Sequence, residues 1–197
     1  LYPNTNSGYG VGGEAKCTEQ SPLNPLSHYA RLKVQAEMEV LSCRGISFRF
    51  ATLFGASPRM RLDLMVNDFV YRAVRDRALV LFELEFRRNF LHVQDAAGVF
   101  LHALDNPEGM RGQAYNAGDT RANITKRELC ENIQSHVAGF GWSVAKHATD
   151  PDKRDYIVSN AKLEATGWKP TFTLHDGIAE LVRCYAQPFD RGSWRNA

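Results

Sequence analysis

The sequence predicts an α/β protein, with a parallel sheet covered by helices and then a smaller mixed α/β lobe. Two adjacent stretches carry that expectation. Ser27 stands as an N-cap ahead of Leu32, Ala36 and Val40, which recur at helical spacing, and Arg44 with Gly45 supplies a basic last turn and a stop. Directly after it, Ile46 to Phe54 (ISFRFATLF) is dense in β-branched and aromatic residues and ends at Gly55, the pattern of a strand. A helix running straight into a strand is half of a β-α-β unit, the crossover that parallel strands require.

The remaining elements follow from the same signals. Leu1 to Gly13, rich in Gly, Asn and Ser, reads as a strand end opening into a loop that runs to Pro25. Leu62 to Asp76 is expected as an amphipathic helix, Leu79 to Phe82 and Asn89 to Val93 as short strands, and Gln94 to Leu104 as a helix stopped near Pro107. Thr125-Lys126-Arg127-Glu128 is a capping-box pattern ahead of a helix to about Val137. Ser159 to Thr166 and Leu174 to Tyr185 read as helices separated by Gly167 and Pro170.

Composition excludes several classes. Apolar residues make up 44% and charged residues 23%, ordinary globular usage that fits neither a disordered nor a fibrous chain. A net charge of +2 with both signs interspersed is no nucleic-acid footprint, and apolar runs such as Ala78 to Phe82 fall far short of the roughly 20 residues that cross a bilayer. Cys17, Cys43, Cys130 and Cys184 are widely spaced, without C-x-x-C, so no metal site is expected and reduced thiols in a cytoplasmic setting are. The start Leu1-Tyr2-Pro3-Asn4, without initiator Met or leader pattern, reads as part of a longer chain.

Two motif matches mislead. Gly8, Gly10 and Gly13 fit G-x-G-x-x-G, but that fingerprint works only where a helix starts at once, and a polar loop from Glu14 to Pro22 follows instead. Ser159-Asn160-Ala161-Lys162 fits the S-x-x-K of acylating serines without its companion motifs, and Ser159 as a plain N-cap explains it better.

The informative constellation is Tyr29-Ala30-Arg31-Leu32-Lys33, which places a phenol and an ammonium on one helical face, one turn apart. An ammonium beside a phenol stabilises the phenolate, which suits the pair for exchanging a proton with a substrate hydroxyl.

Thr5-x-x-x-Tyr9-Gly10, a long loop, then Pro25, Tyr29 and Lys33, resembles the active-site segment of the NAD-dependent epimerase/dehydratase family, extended short-chain dehydrogenase/reductases that act on nucleotide sugars. Three further blocks stand in family order: Arg49 to Gly55, Arg88 to Asp95 (RNFLHVQD), and Arg154 ahead of Ser159 to Pro170. The resemblance implies the C-terminal part of a doubly wound, Rossmann-like parallel sheet plus a smaller mixed α/β substrate lobe. Residues 1–55 would be the trailing part of the NAD(P)-binding domain with the catalytic helix, and 56–197 mainly the nucleotide-sugar lobe.

The resemblance also assigns roles. Thr5, Tyr29 and Lys33 would be catalytic, and Tyr29, Lys33, Phe50 and Ala51 would meet the cofactor, NAD with NADP as the alternative. Ser7, Thr52, Asn67, Arg88 and Arg154 would meet a nucleotide-diphosphate sugar, Arg88 because a guanidinium fork reads phosphate oxygens. Thr52 departs from the family, which has Asn there, and His92 is expected to be structural. The family's Gly-rich pyrophosphate loop belongs to elements ahead of the stretch seen here. Its Tyr-bearing helix commonly pairs across a two-fold axis, so a homodimer is expected of the full-length protein.

In the family the two residues after the Thr choose the reaction. Here they are Asn6 and Ser7; neither ionises, which disfavours dehydration, and Ser7 replaces the Glu of decarboxylases and the Cys of 3,5-epimerising reductases. Hydride transfer at C4 remains, as an epimerase or as a 4-keto-sugar reductase. The rival reading is a non-catalytic nucleotide-sugar binder.

Overall fold

The computed structural model describes residues 1–11, 16–145 and 155–187. Strand β1 (Tyr2–Thr5) runs into a 3-10 turn, Asn6–Tyr9, and after a loop comes helix α1 (His28–Ser42). Ser27 caps it as its sequence position predicts, its hydroxyl accepting from Ala30 N at 3.1 Å. The stop differs in detail. The left-handed residue is Arg44 (φ 56°), whereas Gly45 is needed because a Cβ there would lie 2.6 Å from Val40 Cγ1.

The expected strand Ile46–Phe54 is two strands, β2 (Ser47–Phe50) and β3 (Thr52–Phe54), broken at Ala51. β2 lies between β1 and β6 (Ala114–Ala117) in an all-parallel sheet, with Tyr2 beside Ser47 and Ser47 beside Ala114. β3 leaves for a second sheet, parallel to β5 (Arg87–His92), which pairs antiparallel with β7 (Asn123–Thr125). A third pair joins β4 (Ala78–Leu81) to β8 (Gly141–Val144), also parallel. The chain is thus a Rossmann-like α/β protein with parallel sheets. Its first sheet takes β6 from beyond residue 55, within the stretch expected to be mainly the nucleotide-sugar lobe.

Helices α2 (Met65–Arg75), α5 (Lys126–His136) and α7 (Leu174–Ala186) pack around one core, where Val66, Val70, Leu129, Ile133, Ile178 and Leu181 are fully buried. Helix α3 (Val93–Asp105) packs where the first two sheets meet, its Val99 sharing a buried cluster with Phe48 of β2 and Leu91 of β5, and the single turn α4 (Pro107–Met110) follows it. Capping boxes at Thr125/Glu128 and Thr173/Asp176 open α5 and α7. The helix expected from Ser159 shrinks to one turn, α6 (Ala161–Glu164), with Asn160 at the N-cap position. Ser159 is held by backbone bonds instead: its N–H donates to Cys17 O and its carbonyl accepts from Asn116 Nδ2.

All four cysteines are free thiols. Among the described residues no helix is long and apolar enough to cross a membrane, and no group of three or more side chains could hold a metal ion.

Candidate active site

A cleft of about 1420 Å³ opens between the first sheet with α1 and the lobe built on α2, β4, β5 and α5. Its near wall comes from the carboxyl ends of β1 and β2, where ligands gather in open parallel sheets. β1 ends at Thr5, whose hydroxyl accepts from Ser7 N (3.1 Å) and donates to Ser7 Oγ (3.0 Å). Thr5 and Ser7 line the cleft, as do Phe50, Ala51 and Thr52 at the β2–β3 break. The break at Ala51, which a continuous apolar run hid, therefore lies at the cleft wall.

Tyr29 and Lys33 lie one turn apart near the start of α1, and both line the cleft. Tyr29 is 57% exposed, open to a reactant. The Lys33 ammonium donates to Pro3 O (2.7 Å) and lies 4.7 Å from the Tyr2 ring and 5.9 Å from the Tyr29 ring. Partial burial holds its pKa below the ordinary lysine value.

One turn further along α1 stands Glu37, buried at 3% exposure and unforeseen from the sequence. It accepts from Asn4 Nδ2 (2.7 Å), Ser47 Oγ (2.7 Å) and Arg49 Nη2 (2.7 Å). Arg49 also donates to Tyr9 OH (2.9 Å), and Tyr9 OH to Asn116 Oδ1 (2.6 Å). This network ties α1, β1, β2, β6 and the turn after Thr5 together, and so fixes the helix that presents Tyr29 and Lys33. Burial pushes the Glu37 pKa up, but the hydrogen bonds from Arg49, Ser47 and Asn4 and the Arg49 charge outweigh it, and the net shift is downward. Arg49 shifts upward for the complementary reason, and burial pushes Tyr9 up to about 12. The spacing Tyr29, Lys33, Glu37 was the available signal for this anchor.

Arg88, 1% exposed, reaches the cleft from β5; its Nη1 donates to Arg87 O (3.0 Å) and its guanidinium lies 5.8 Å from the Tyr156 ring. Asn67 does not line the cleft. Its Oδ1 accepts from Gly55 N (3.1 Å) and its Nδ2 donates to Arg61 O (3.1 Å), so it ties the turn after β3 to α2. Arg154 lies outside the described residues, as does Gly13. His92 belongs to the core: Nε2 meets Glu180 Oε2 at 2.9 Å, the ring stacks on Phe172, and Nδ1 accepts from Gln94 N. Neither amide atom of Asn6 has a partner among the described residues, although the side chain is buried. Cleft residues missed in the sequence include Lys126, Tyr156, the stretch Leu79–Phe82 and, from the turn before α2 and the start of that helix, Arg61 and Asp68.

A parallel sheet with a Tyr and a Lys one helical turn apart beside its carboxyl edge is the arrangement of the extended short-chain dehydrogenase/reductases. The chain belongs to the NAD dependent epimerase/dehydratase family, whose model matches residues 1–118. It is similar to the low-salt glycan biosynthesis protein Agl12 of Haloferax volcanii, 27% identical over 194 residues, which cover 94% of this chain and 61% of that protein. GDP-L-fucose synthase 1 of Arabidopsis thaliana is 32% identical over 102 residues, 50% of this chain and 29% of the relative. Among solved structures, a dTDP-glucose 4,6-dehydratase from Bacillus anthracis in complex with NAD superposes with a TM-score of 0.80 at 25% identity, over 98% of this chain and 62% of that one. The chain thus spans about three-fifths of the length of relatives that match it throughout.

Proposed function

We propose that this chain forms the substrate side of an NAD(P)-dependent nucleotide-sugar epimerase or related oxidoreductase that transfers hydride at C4 of the sugar. The observation that carries the reading is the convergence on one cleft of Thr5, Tyr29 and Lys33 with Phe50–Thr52 and Arg88, residues drawn from five separate elements.

The residues present suit the nicotinamide end of the cofactor. Lys33 offers a cation for the ribose hydroxyls, and Phe50 and Ala51 give an apolar wall for the flat ring. They do not suit the pyrophosphate end. Gly10 (φ 69°) serves a tight turn in which a Cβ would meet Asn24 O at 2.1 Å, and among the described residues the next helix starts at His28. When bound, nicotinamide would take hydride from the sugar carbon and return it.

The chain's own groups do the rest. Tyr29 exchanges the proton of the sugar hydroxyl, Lys33 places a cation one turn from it, and Thr5 hydrogen-bonds the same sugar oxygen. Arg88 pairs with the diphosphate, a charge-assisted contact that fixes the sugar's reach toward Tyr29. With Asn6 and Ser7 both neutral, no acid–base pair stands ready to expel water, which favours epimerisation or 4-keto reduction over dehydration. The complete protein is proposed to be a homodimer.

The test is product analysis by NMR after incubating the complete protein with nucleotide sugars and NAD or NADP. A C4 epimer or a reduced 4-keto sugar is the expected product. A dehydrated sugar would overturn the C4 assignment, and binding with no product from any substrate would favour the non-catalytic binder.

A further inference from the structure

The cleft has a direction, set by β5. Phe90 pairs with Thr52, Arg88 two residues earlier pairs with Ile124, and Phe86 two residues before that accepts from Lys126 N at 3.3 Å. At about 3.4 Å per extended residue, these three stations stand about 7 Å apart. The proton-transfer residues belong to the Thr52 end, since Thr52 follows Phe50, the strand partner of Thr5. Arg88 occupies the middle. Lys126 and Phe82 line the far end, one step beyond the diphosphate position, about the reach of a ribose and its base.

Lys126 is the first residue of α5 and only 3% exposed. Its ammonium donates to Phe82 O (2.8 Å) and sits 5.7 Å from the centroid of the Phe86 ring. The fold thus places a hydrogen-bond donor beside an aromatic ring at the far end of the cleft.

We propose that Lys126 selects the nucleotide base, admitting one that presents a carbonyl oxygen at its outer edge (uracil, thymine or guanine) over cytosine or adenine. This rests on the reading that the cleft takes a nucleotide sugar. A keto oxygen at that edge accepts a hydrogen bond, whereas cytosine and adenine present an amino group there, a donor that meets the ammonium donor to donor. The Phe82 side chain supplies a flat apolar surface for any base, and the ammonium supplies the discrimination.

Calorimetric titration of the chain with UDP, dTDP, GDP, CDP and ADP tests this, alongside Lys126→Met, which keeps the apolar stem and removes the charge. At least one of the keto-base nucleotides should bind about tenfold or more tighter than both CDP and ADP. Lys126→Met should bind all five within about threefold of one another. Equal binding of all five by the wild-type chain, or preference for CDP or ADP, overturns the role of Lys126 while leaving the nucleotide site intact. A keto preference that survives in Lys126→Met, in a variant melting like the wild type, overturns it too. Binding of none of the five overturns the function reading itself, and this inference with it. The wild-type series decides even where the variant fails to fold.

Discussion

Replacing Glu37 by Leu should remove a large share of the protein's stability, because it strands a buried cation. Arg49 is 6% exposed and gives Glu37 three hydrogen bonds of 2.7 to 3.1 Å, two from Nε and one from Nη2. Truncating one partner of a buried pair costs about 3–5 kcal/mol, against a total of about 5–15 kcal/mol for a typical domain. For a chain of 197 residues that corresponds to a fall in melting temperature of roughly 6–20 °C. The double variant Glu37→Leu/Arg49→Met should recover most of the loss, since replacing both partners by apolar groups is often near neutral. Urea unfolding followed by circular dichroism at pH 7 measures both. The same pair sets a pH dependence. Because the folded-state pKa of Glu37 lies below its ordinary value, its stabilisation is complete above that ordinary value and is lost as pH falls through the folded one. Glu37→Leu should therefore be flatter than the wild type in the acid range. A loss under about 1 kcal/mol at pH 7, or an acid limb unchanged in the variant, would refute the role given to the buried pair.

Other consequences are simpler to state. Gly55→Ala should destabilise by about 2–4 kcal/mol in the same assay, since φ is 112° and the new Cβ would lie 2.3 Å from His92 Nε2, the atom that meets Glu180. Lys33→Ala in the complete protein should weaken cofactor binding and slow turnover together, read by calorimetry and a coupled assay. Arg88→Met should weaken nucleoside diphosphates about tenfold or more, with a smaller effect on nucleosides that lack phosphate. Light scattering at micromolar concentration should show the complete protein as a dimer.

The sequence reveals what is local. Ser27 and the helical spacing after it fix α1, and that helix alone brings Tyr29 and Lys33 together, so the central pair is visible without a structure. The split of Ile46–Phe54 is not visible, because the apolar run is continuous and the break at Ala51 comes from two different neighbours, β1 and β6 on one side and β5 on the other. β6 (AYNA) is missed because four residues with two alanines carry no strand signal of their own. Ser159 misleads because its backbone is engaged by Cys17 and Asn116, partners distant in the chain. The anchor of α1 fails for the same reason: Tyr9 and Asn116 are 107 residues apart in the chain. Lys126 reads in sequence as a helix-start residue inside a capping box, and only the fold brings it to the cleft wall.

Turnover by the complete protein and by its Tyr29→Phe variant tests the central claim most directly, measured with NAD or NADP over a series of nucleotide sugars. The variant should bind cofactor and substrate as the wild type does, yet react about 10²- to 10⁴-fold more slowly, because only the proton-transfer group is gone. A Tyr29→Phe variant that turns over at the wild-type rate would contradict the account.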